Sequence, residues 1–328
     1  MSKPIIVNSF SGPLANTIEK FIAEKRGIGL QYNGVSTYLQ SFDRFSISFH
    51  LEESVLSREV VEAWLKQNPY QSQQTLRMKA IIIRQLGLYM KRMNMISYVI
   101  SEIPKRNQLF TPYIFSDNEI EKIIEQADTV KPLSKKTSKH LVIPVFIRLL
   151  YFCGLRFSEV QQLRVENVDL DNGILIIYGS KFDKDRLVPM SPEITNICRA
   201  YSEKVHAHSS GDAIYLPNTH NTIYEKRCFY SVYRDLLWKA GISHGGRGNG
   251  PRLHDLRHTF AVHCLRKWVE EDADITALLP YLSSYLGHKG LQETAYYLRL
   301  TADMFPQVTA LLLHELGDII PEIGGDIL

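Results

Sequence analysis

The sequence predicts a mainly α protein of the α+β class: a helical bundle, then a larger α-rich domain holding one small antiparallel sheet. Three observations predict it. Apolar residues recur at three- and four-residue spacing through most of the chain. One stretch, residues 167–190, carries apolar runs of strand length separated by polar turns. Helical periodicity lapses over residues 103–112, where IPKRNQLFTP holds two prolines and two basic residues and suits an extended linker. With 328 residues, 45% of them hydrophobic, the chain can fill two cores, and the predicted domains are residues 1–108 and 109–328.

In the first domain, Leu14–Arg26, Val35–Phe45, Arg58–Gln67 and Gln73–Arg92 read as amphipathic helices. Ser57 is placed to cap the third, and Gly27 and Gly29 to end the first. The second domain opens on Ser116-Asp-Asn-Glu119, a capping box for a helix over Ile120–Ala127. His140–Cys153 is strongly apolar and stops at Gly154, and Ser158 is the expected N-cap of a short helix after it. Strands are expected at Asn167–Leu170, Ile174–Tyr178 and Leu187–Met190, joined by the turns Asp171-Asn172-Gly173 and Ser180–Asp185. The rest reads as helix: Pro192–Val205, Ile223–Ala240, His254–Trp268, Ile275–Leu286, Gln292–Leu300 and Pro306–Leu316, with a basic loop over 241–251.

The net charge of +3 conceals an asymmetry. Residues 1–108 hold 14 Lys and Arg against 8 Asp and Glu, whereas the chain from Thr301 onward holds 5 acidic residues and no Lys or Arg. The basic end is therefore the candidate polyanion binder. In the helix over Gln73–Arg92, Arg77, Arg84 and Lys91 recur every seven residues. That spacing sets them on nearly one face, about 10 Å apart, where they could follow a phosphate backbone or form an ordinary solvated face. Cys153, Cys198, Cys228 and Cys264 show no C-x-x-C spacing and read as reduced core thiols of a cytoplasmic protein, not as a zinc or redox site. No secretory leader is read at the start, and no apolar run reaches the roughly 18 residues of a membrane span.

The chemistry concentrates in GLRFSEV (154–160), SKFDKDRLVPM (180–190), LHDLRHTFAVH (253–263) and YLGHKGLQETAYYLRL (285–300). Opening a phosphodiester without a metal places extra negative charge on the nonbridging oxygens in the transition state. Guanidiniums, permanently charged and forked, suit that charge, and Arg156 and Arg257 are the candidates. A leaving 5′-oxygen needs a proton, which Lys181 in the hairpin turn could deliver, with Lys184 three residues on as its rival. Imidazoles could bond the phosphate and exchange protons with an attacking phenol, and His254 and His288 are placed for this. Glu159 could orient a guanidinium or His288, or act as an acid at a helix N-terminus. His258 and His263 read first as satisfied core or surface histidines and second as supports of the site.

Taken together, these stretches resemble the tyrosine recombinase (phage integrase) family from about Ile114 to Leu300. The family pattern of an arginine, a hairpin lysine, H-x-x-R, and a histidine in L-G-H followed nine residues later by tyrosine matches Arg156, Lys181, His254 with Arg257, His288 and Tyr297. Tyr296 and Tyr297 point about 100° apart on a helix, and the family spacing selects Tyr297 as nucleophile. The resemblance implies a core-binding DNA-clamp domain over 1–108 and a catalytic domain with a tail helix over 109–328. It also implies double-stranded DNA as partner, a 3′-phosphotyrosyl intermediate, a Holliday junction, a homotetramer on two DNA sites, and neither metal nor nucleotide cofactor. Accessory DNA-bending proteins are further expected partners. Residues 270–284 are similar to versions found in recombinases of transposons and conjugative elements, and no amino-terminal arm-binding domain is expected. The expected role is integration or excision of a mobile element, with an Xer-type resolvase of circular DNA or a type IB topoisomerase-like enzyme as the alternatives. In the tail, Val308, Leu311, Leu312 and Leu316 form an apolar stripe that would fold back on its own domain or, as the resemblance implies, dock on a neighbouring protomer.

Overall fold

A computed structural model of the chain describes residues 9–49, 51, 55–105, 111–132, 138–179, 185–246, 250–288 and 290–304. The described residues divide into two compact units, one before residue 110 and one from Thr111 onward.

The first unit is built from α1 (Ala15–Gly27), α2 (Asn33–Ser46), α3 (Arg58–Lys66) and α4 (Gln73–Arg92). Its core gathers Phe21, Leu39, Phe42, Trp64, Leu86 and Met90, one apolar stripe from each helix. Ser57 and Ser72 cap α3 and α4, their hydroxyls accepting from Val60 N and Thr75 N, so each satisfies a backbone donor that the helix start leaves orphaned. Gly87 sits in mid-α4, where glycine costs helix stability; a Cβ there would lie 2.7 Å from the carbonyl oxygen of Tyr98. Packing has overridden propensity at that position.

The second unit contains α5 (Asp117–Asp128), α6 (Lys139–Phe152), α7 (Phe157–Gln162), β1 (Val168–Asp169), β2 (Ile174–Ile177), β3 (Arg186–Pro189), α8 (Pro192–Val205), α9 (Lys226–Lys239), α10 (Asp255–Glu270), α11 (Ile275–Leu286) and α12 (Leu291–Met304). The sheet is antiparallel in the order β1-β2-β3, with Leu175 opposite Val188 and Ile177 opposite Arg186. Leu175, Ile177 and Val188 face the core, as a half-buried sheet requires. Ser116 and Glu119 form the capping box of α5, Ser116 N donating to Glu119 Oε2 at 2.8 Å and Glu119 N to Ser116 Oγ at 3.3 Å. Helix α10 packs against α6, α11 and α12, so the segment carrying H-x-x-R lies between the segments carrying the other motifs.

Four expectations are corrected. Helix α7 begins at Phe157 with Arg156 as its N-cap, not Ser158, because the Glu159 carboxylate takes the backbone N–H of Arg156 at 2.8 Å. Strand β3 begins one residue early, which places Arg186 on the sheet. Helix α9 starts at Lys226 rather than Ile223; the Asn218 side chain accepts from Thr222 N and donates to the carbonyl of Ile223, holding that stretch in a turn. Cys228 is exposed on α9, whereas Cys153 and Cys198 are core thiols and Cys264 is half-buried. The tail stripe over 306–316, Lys181 and Lys184 lie outside the described residues. Among the described residues, no helix is long and apolar enough to cross a membrane.

Candidate active site

Three helix ends and one helix face bring the motif residues together. Helix α6 stops where Gly154 turns left-handed (φ 54°), a position at which a Cβ would meet the Phe260 ring at 2.5 Å, and Arg156 follows at the start of α7. His254 is the N-cap of α10, with Arg257 and His258 in the first turns after it. Helix α11 closes at Gly287, a left-handed C-cap (φ 65°), and His288 is the next residue. Tyr297 projects from α12.

The last carbonyls of a helix have no intrahelical donor, and the helix dipole makes that end negative. At α11 these carbonyls are taken by three guanidiniums. Arg186 Nε donates to Tyr285 O at 2.8 Å, Arg257 Nη2 to Leu286 O, and Arg156 Nη2 to Gly287 O at 2.9 Å. Arg257 Nη1 also donates to Gly154 O at 2.9 Å, the carbonyl of the left-handed residue just past the end of α6. These acceptors are neutral, so they orient the guanidiniums without cancelling their charge. That matters most for Arg257, which is only 1% exposed. Burial, then repulsion from Arg156, pushes its pKa down to about 10, and it is a cation at neutral pH.

One anion sits among the three cations. The Glu159 carboxylate accepts from Arg156 Nη1 at 2.8 Å and from both terminal nitrogens of Arg186 at 2.9 and 2.8 Å, with Arg257 Nη1 at 4.0 Å. Burial works to raise its pKa, but the hydrogen bonds and charge of Arg186, then those of Arg156, hold it down to about 2. The four groups therefore carry a net charge of about +2 at neutral pH, an arrangement suited to an anion.

The imidazoles line the other side. His258 Nδ1 lies 3.0 Å from the Tyr297 hydroxyl, and its ring meets that of His254 edge to face at 4.6 Å. The His288 ring stacks on the Tyr297 ring at 5.8 Å and 16°, with Nδ1 hydrogen-bonded to Thr294 Oγ1 at 2.7 Å. Burial, then Arg257, pushes His258 down to about 4; burial, then Arg257 and Arg156, pushes His288 down to about 3. His254 shifts the same way through lost hydration and then His258 and Arg257, although its surface is open to solvent, which tempers the effect. The half-buried His258 and His288 rings are neutral at pH 7. Burial raises the Tyr297 phenol above its ordinary value, with Arg257 opposing, so it is protonated in the same range.

Arg156, His254, Arg257, His288 and Tyr297 thus converge, and Glu159, Arg186 and His258 join them. Arg186 was missed in the sequence, while His258 was read first as a core or surface histidine; its spacing of four from His254 places both on one helix face. His263 is a core histidine, bonded to the Tyr151 hydroxyl at 2.8 Å. Tyr296 is half-buried beside Tyr297, its ring centroid 6.1 Å away. In the first unit, Arg84 is half-buried and Lys91 exposed on α4, while Arg77 donates to the carbonyl of Pro104 at 2.7 Å.

Comparison with known proteins adds to this geometry. Residues 114–304 match the sequence model of the Phage integrase family. The chain is 32% identical over 204 residues to a protein of Sinorhizobium fredii named as an integrase/recombinase, y4rB, covering 60% of this chain and 64% of that one. It is 30% identical over 207 residues to the tyrosine recombinase XerD of Lacticaseibacillus casei, covering 61% and 62%. The match therefore spans less than two thirds of these relatives' length. Among solved structures, the fold is similar to the XerH site-specific recombinase in a pre-cleavage complex with difH DNA (TM-score 0.60, 21% identity, covering 88% of this chain and 81% of that one). It is also similar to the lambda integrase fragment bound to DNA (TM-score 0.60, 14% identity, covering 85% and 92%).

Proposed function

The chain belongs to the phage integrase family, and from that premise we propose that it is a site-specific DNA recombinase that integrates or excises a mobile element. The observation that carries this reading is the convergence of two carbonyl-anchored guanidiniums, Arg156 and Arg257, with a neutral His258 bonded to the hydroxyl of Tyr297 and a neutral His288 stacked on its ring.

In this reading Arg156 and Arg257 bind the nonbridging oxygens of the scissile phosphate and stabilise their extra charge in the pentavalent transition state. The Tyr297 oxygen forms a bond to phosphorus as the bond from phosphorus to the 5′-oxygen breaks. The products are a 3′-phosphotyrosyl ester and a 5′-hydroxyl. The phenolic proton passes to an imidazole: His258 is nearest; burial and then the Arg257 charge lower its basicity, and a bound phosphate anion offsets the second of these. Lys181 supplies the proton to the 5′-oxygen. Attack by a 5′-hydroxyl from a second duplex reverses these steps on a new partner and passes through a Holliday junction. No net bond energy is lost, so no nucleotide is consumed.

The basic first unit is the second jaw of the clamp, with Arg84 and Lys91 on phosphates and Arg77 sharing its guanidinium with Pro104. Four protomers act on two sites in the cytoplasm. A resolvase of circular DNA is the second reading, favoured by the matches to proteins named Xer recombinases.

The decisive test is to select duplexes from randomised DNA for binding, label them, and look for protein-linked DNA that survives denaturant; its absence overturns the reading. Recombination between two selected sites separates a recombinase from a topoisomerase. Lys181→Ala is expected to slow cleavage and to regain speed on a substrate with a 5′-bridging sulfur, whose thiolate leaves without an acid. Rescue confined to Lys184→Ala would reassign the general acid. Deleting residues 305–328 is expected to leave single-site binding intact and to abolish the tetramer and recombination, because it removes the apolar stripe from Val308 to Leu316 that would dock on a neighbouring protomer. A truncated protein that still sizes as a tetramer on DNA and recombines would assign the stripe to its own domain.

A further inference from the structure

We propose that Arg186 is a positioning residue of this site, which holds Glu159 as the fixed rest for Arg156 and returns to the phosphate pocket the positive charge that Glu159 would otherwise remove. The inference rests on the recombinase reading above and extends it to a residue of the 180–190 stretch that is not among the matched catalytic positions.

A carboxylate beside two guanidiniums meant for a phosphate is a competitor for them, since it offers the same paired oxygens. In this chain the competition is settled by a third guanidinium. Arg186 meets Glu159 with both terminal nitrogens, at 2.9 and 2.8 Å, and its Nε holds the carbonyl of Tyr285 at 2.8 Å. All its donor-bearing nitrogens are thus committed to protein acceptors, and its side chain is only 8% exposed, so it has no free edge for DNA. Arg156 by contrast spends one nitrogen on Glu159 and one on Gly287 O, and its side chain is 16% exposed, twice that of Arg186. Geometry thus divides the labour: Arg186 saturates the carboxylate, and Arg156 leans on it.

The backbone keeps room for this. At Gly287 a Cβ would lie 3.1 to 3.3 Å from the Arg186 guanidinium, so the glycine that lets α11 end in a left-handed turn also admits Arg186 beside the turn. Ile177 pairs with Arg186 across the sheet, which fixes where the arginine leaves β3. Removing the guanidinium would leave Glu159 buried with Arg156 as its nearest cation and Arg257 next. Both would be drawn toward the carboxylate and away from a phosphate.

The test uses the full chain and a duplex selected from randomised DNA for binding to it, and it measures DNA affinity, thermal melting and the single-turnover rate of covalent adduct formation. Arg186→Met is expected to bind DNA within a few-fold of wild type and to form adduct ~10–100-fold more slowly, the usual cost of removing a group that orients a functional side chain. Adding Glu159→Gln to Arg186→Met is expected to regain about tenfold of that loss, because Gln still accepts from Arg156 and no unpaired anion remains. A merely structural arginine would not be rescued by neutralising its partner. Wild-type rates in Arg186→Met, or a double variant no faster than the single, overturn the assignment. If Arg186→Met fails to fold, Arg186→Lys decides: it keeps the charge but not the fork, so an intermediate rate supports the proposal and an unchanged rate overturns it. No adduct from the wild type itself overturns the recombinase reading and this assignment together, whereas a wild-type adduct with indifferent variants overturns the assignment alone.

Discussion

Tyr297→Phe is expected to bind DNA with unchanged affinity and to form no covalent adduct. The substitution keeps the ring, which packs in a core cluster with Leu286, Leu298 and Leu300 and stacks on His288. Only the hydroxyl goes, and with it the bond to His258 Nδ1 at 3.0 Å. Losing one such hydrogen bond costs folding about 1 kcal/mol, too little to unfold a domain of this size. The chemical effect is total, because no other oxygen occupies that position. The control is Tyr296→Phe, which should react at close to the wild-type rate. Denaturing electrophoresis of labelled DNA reads both. An adduct with Tyr297→Phe but none with Tyr296→Phe would exchange their roles.

Much of this site was legible because its residues fall in short local patterns. H-x-x-R places two side chains on one turn of a helix, and L-G-H marks a helix end whose glycine must turn left-handed, as Gly287 does (φ 65°). The helices were legible for the same reason, with bounds within a few residues wherever a cap residue was present, as at Ser57, Ser72, Ser116 and Ser191. Arg186 was not legible because everything that gives it meaning is distant: Glu159 is 27 residues away and Tyr285 is 99. Nothing in its own neighbourhood distinguishes it from a surface arginine at a strand end. The Ser158 cap failed for a related reason. Serine has the better intrinsic preference, but Glu159 had already captured the backbone of Arg156, and the helix could start earlier. His258 had a readable signal in its spacing from His254, whereas the hydroxyl it bonds, on a separate helix, had none.

Arg257→Lys carries the second-largest expected effect, a loss of about a thousandfold in cleavage rate with a measurable loss of stability. The two consequences have one origin. The Arg257 guanidinium is 1% exposed and joins two helix ends, donating to the carbonyl of Gly154 just past the end of α6 and to that of Leu286, the last residue of α11. An ammonium on a shorter stem cannot reach both with the planar fork, so one buried carbonyl loses its donor at a cost of about 1–3 kcal/mol. The same misplacement moves the charge off the phosphate, where loss of a single oriented donor costs ~10²–10³ in rate and loss of a bidentate one falls at the upper end. Arg156→Lys is expected to lose rate with less loss of stability, because its carbonyl partner is the half-buried cap residue of a single helix and its other partner, Glu159, keeps Arg186. Thermal melting and single-turnover cleavage on the same preparations check the split. Arg257→Lys cleaving at the wild-type rate would remove Arg257 from the phosphate and leave it a helix-joining residue, and equal melting losses for the two variants would show that the two guanidiniums are anchored alike.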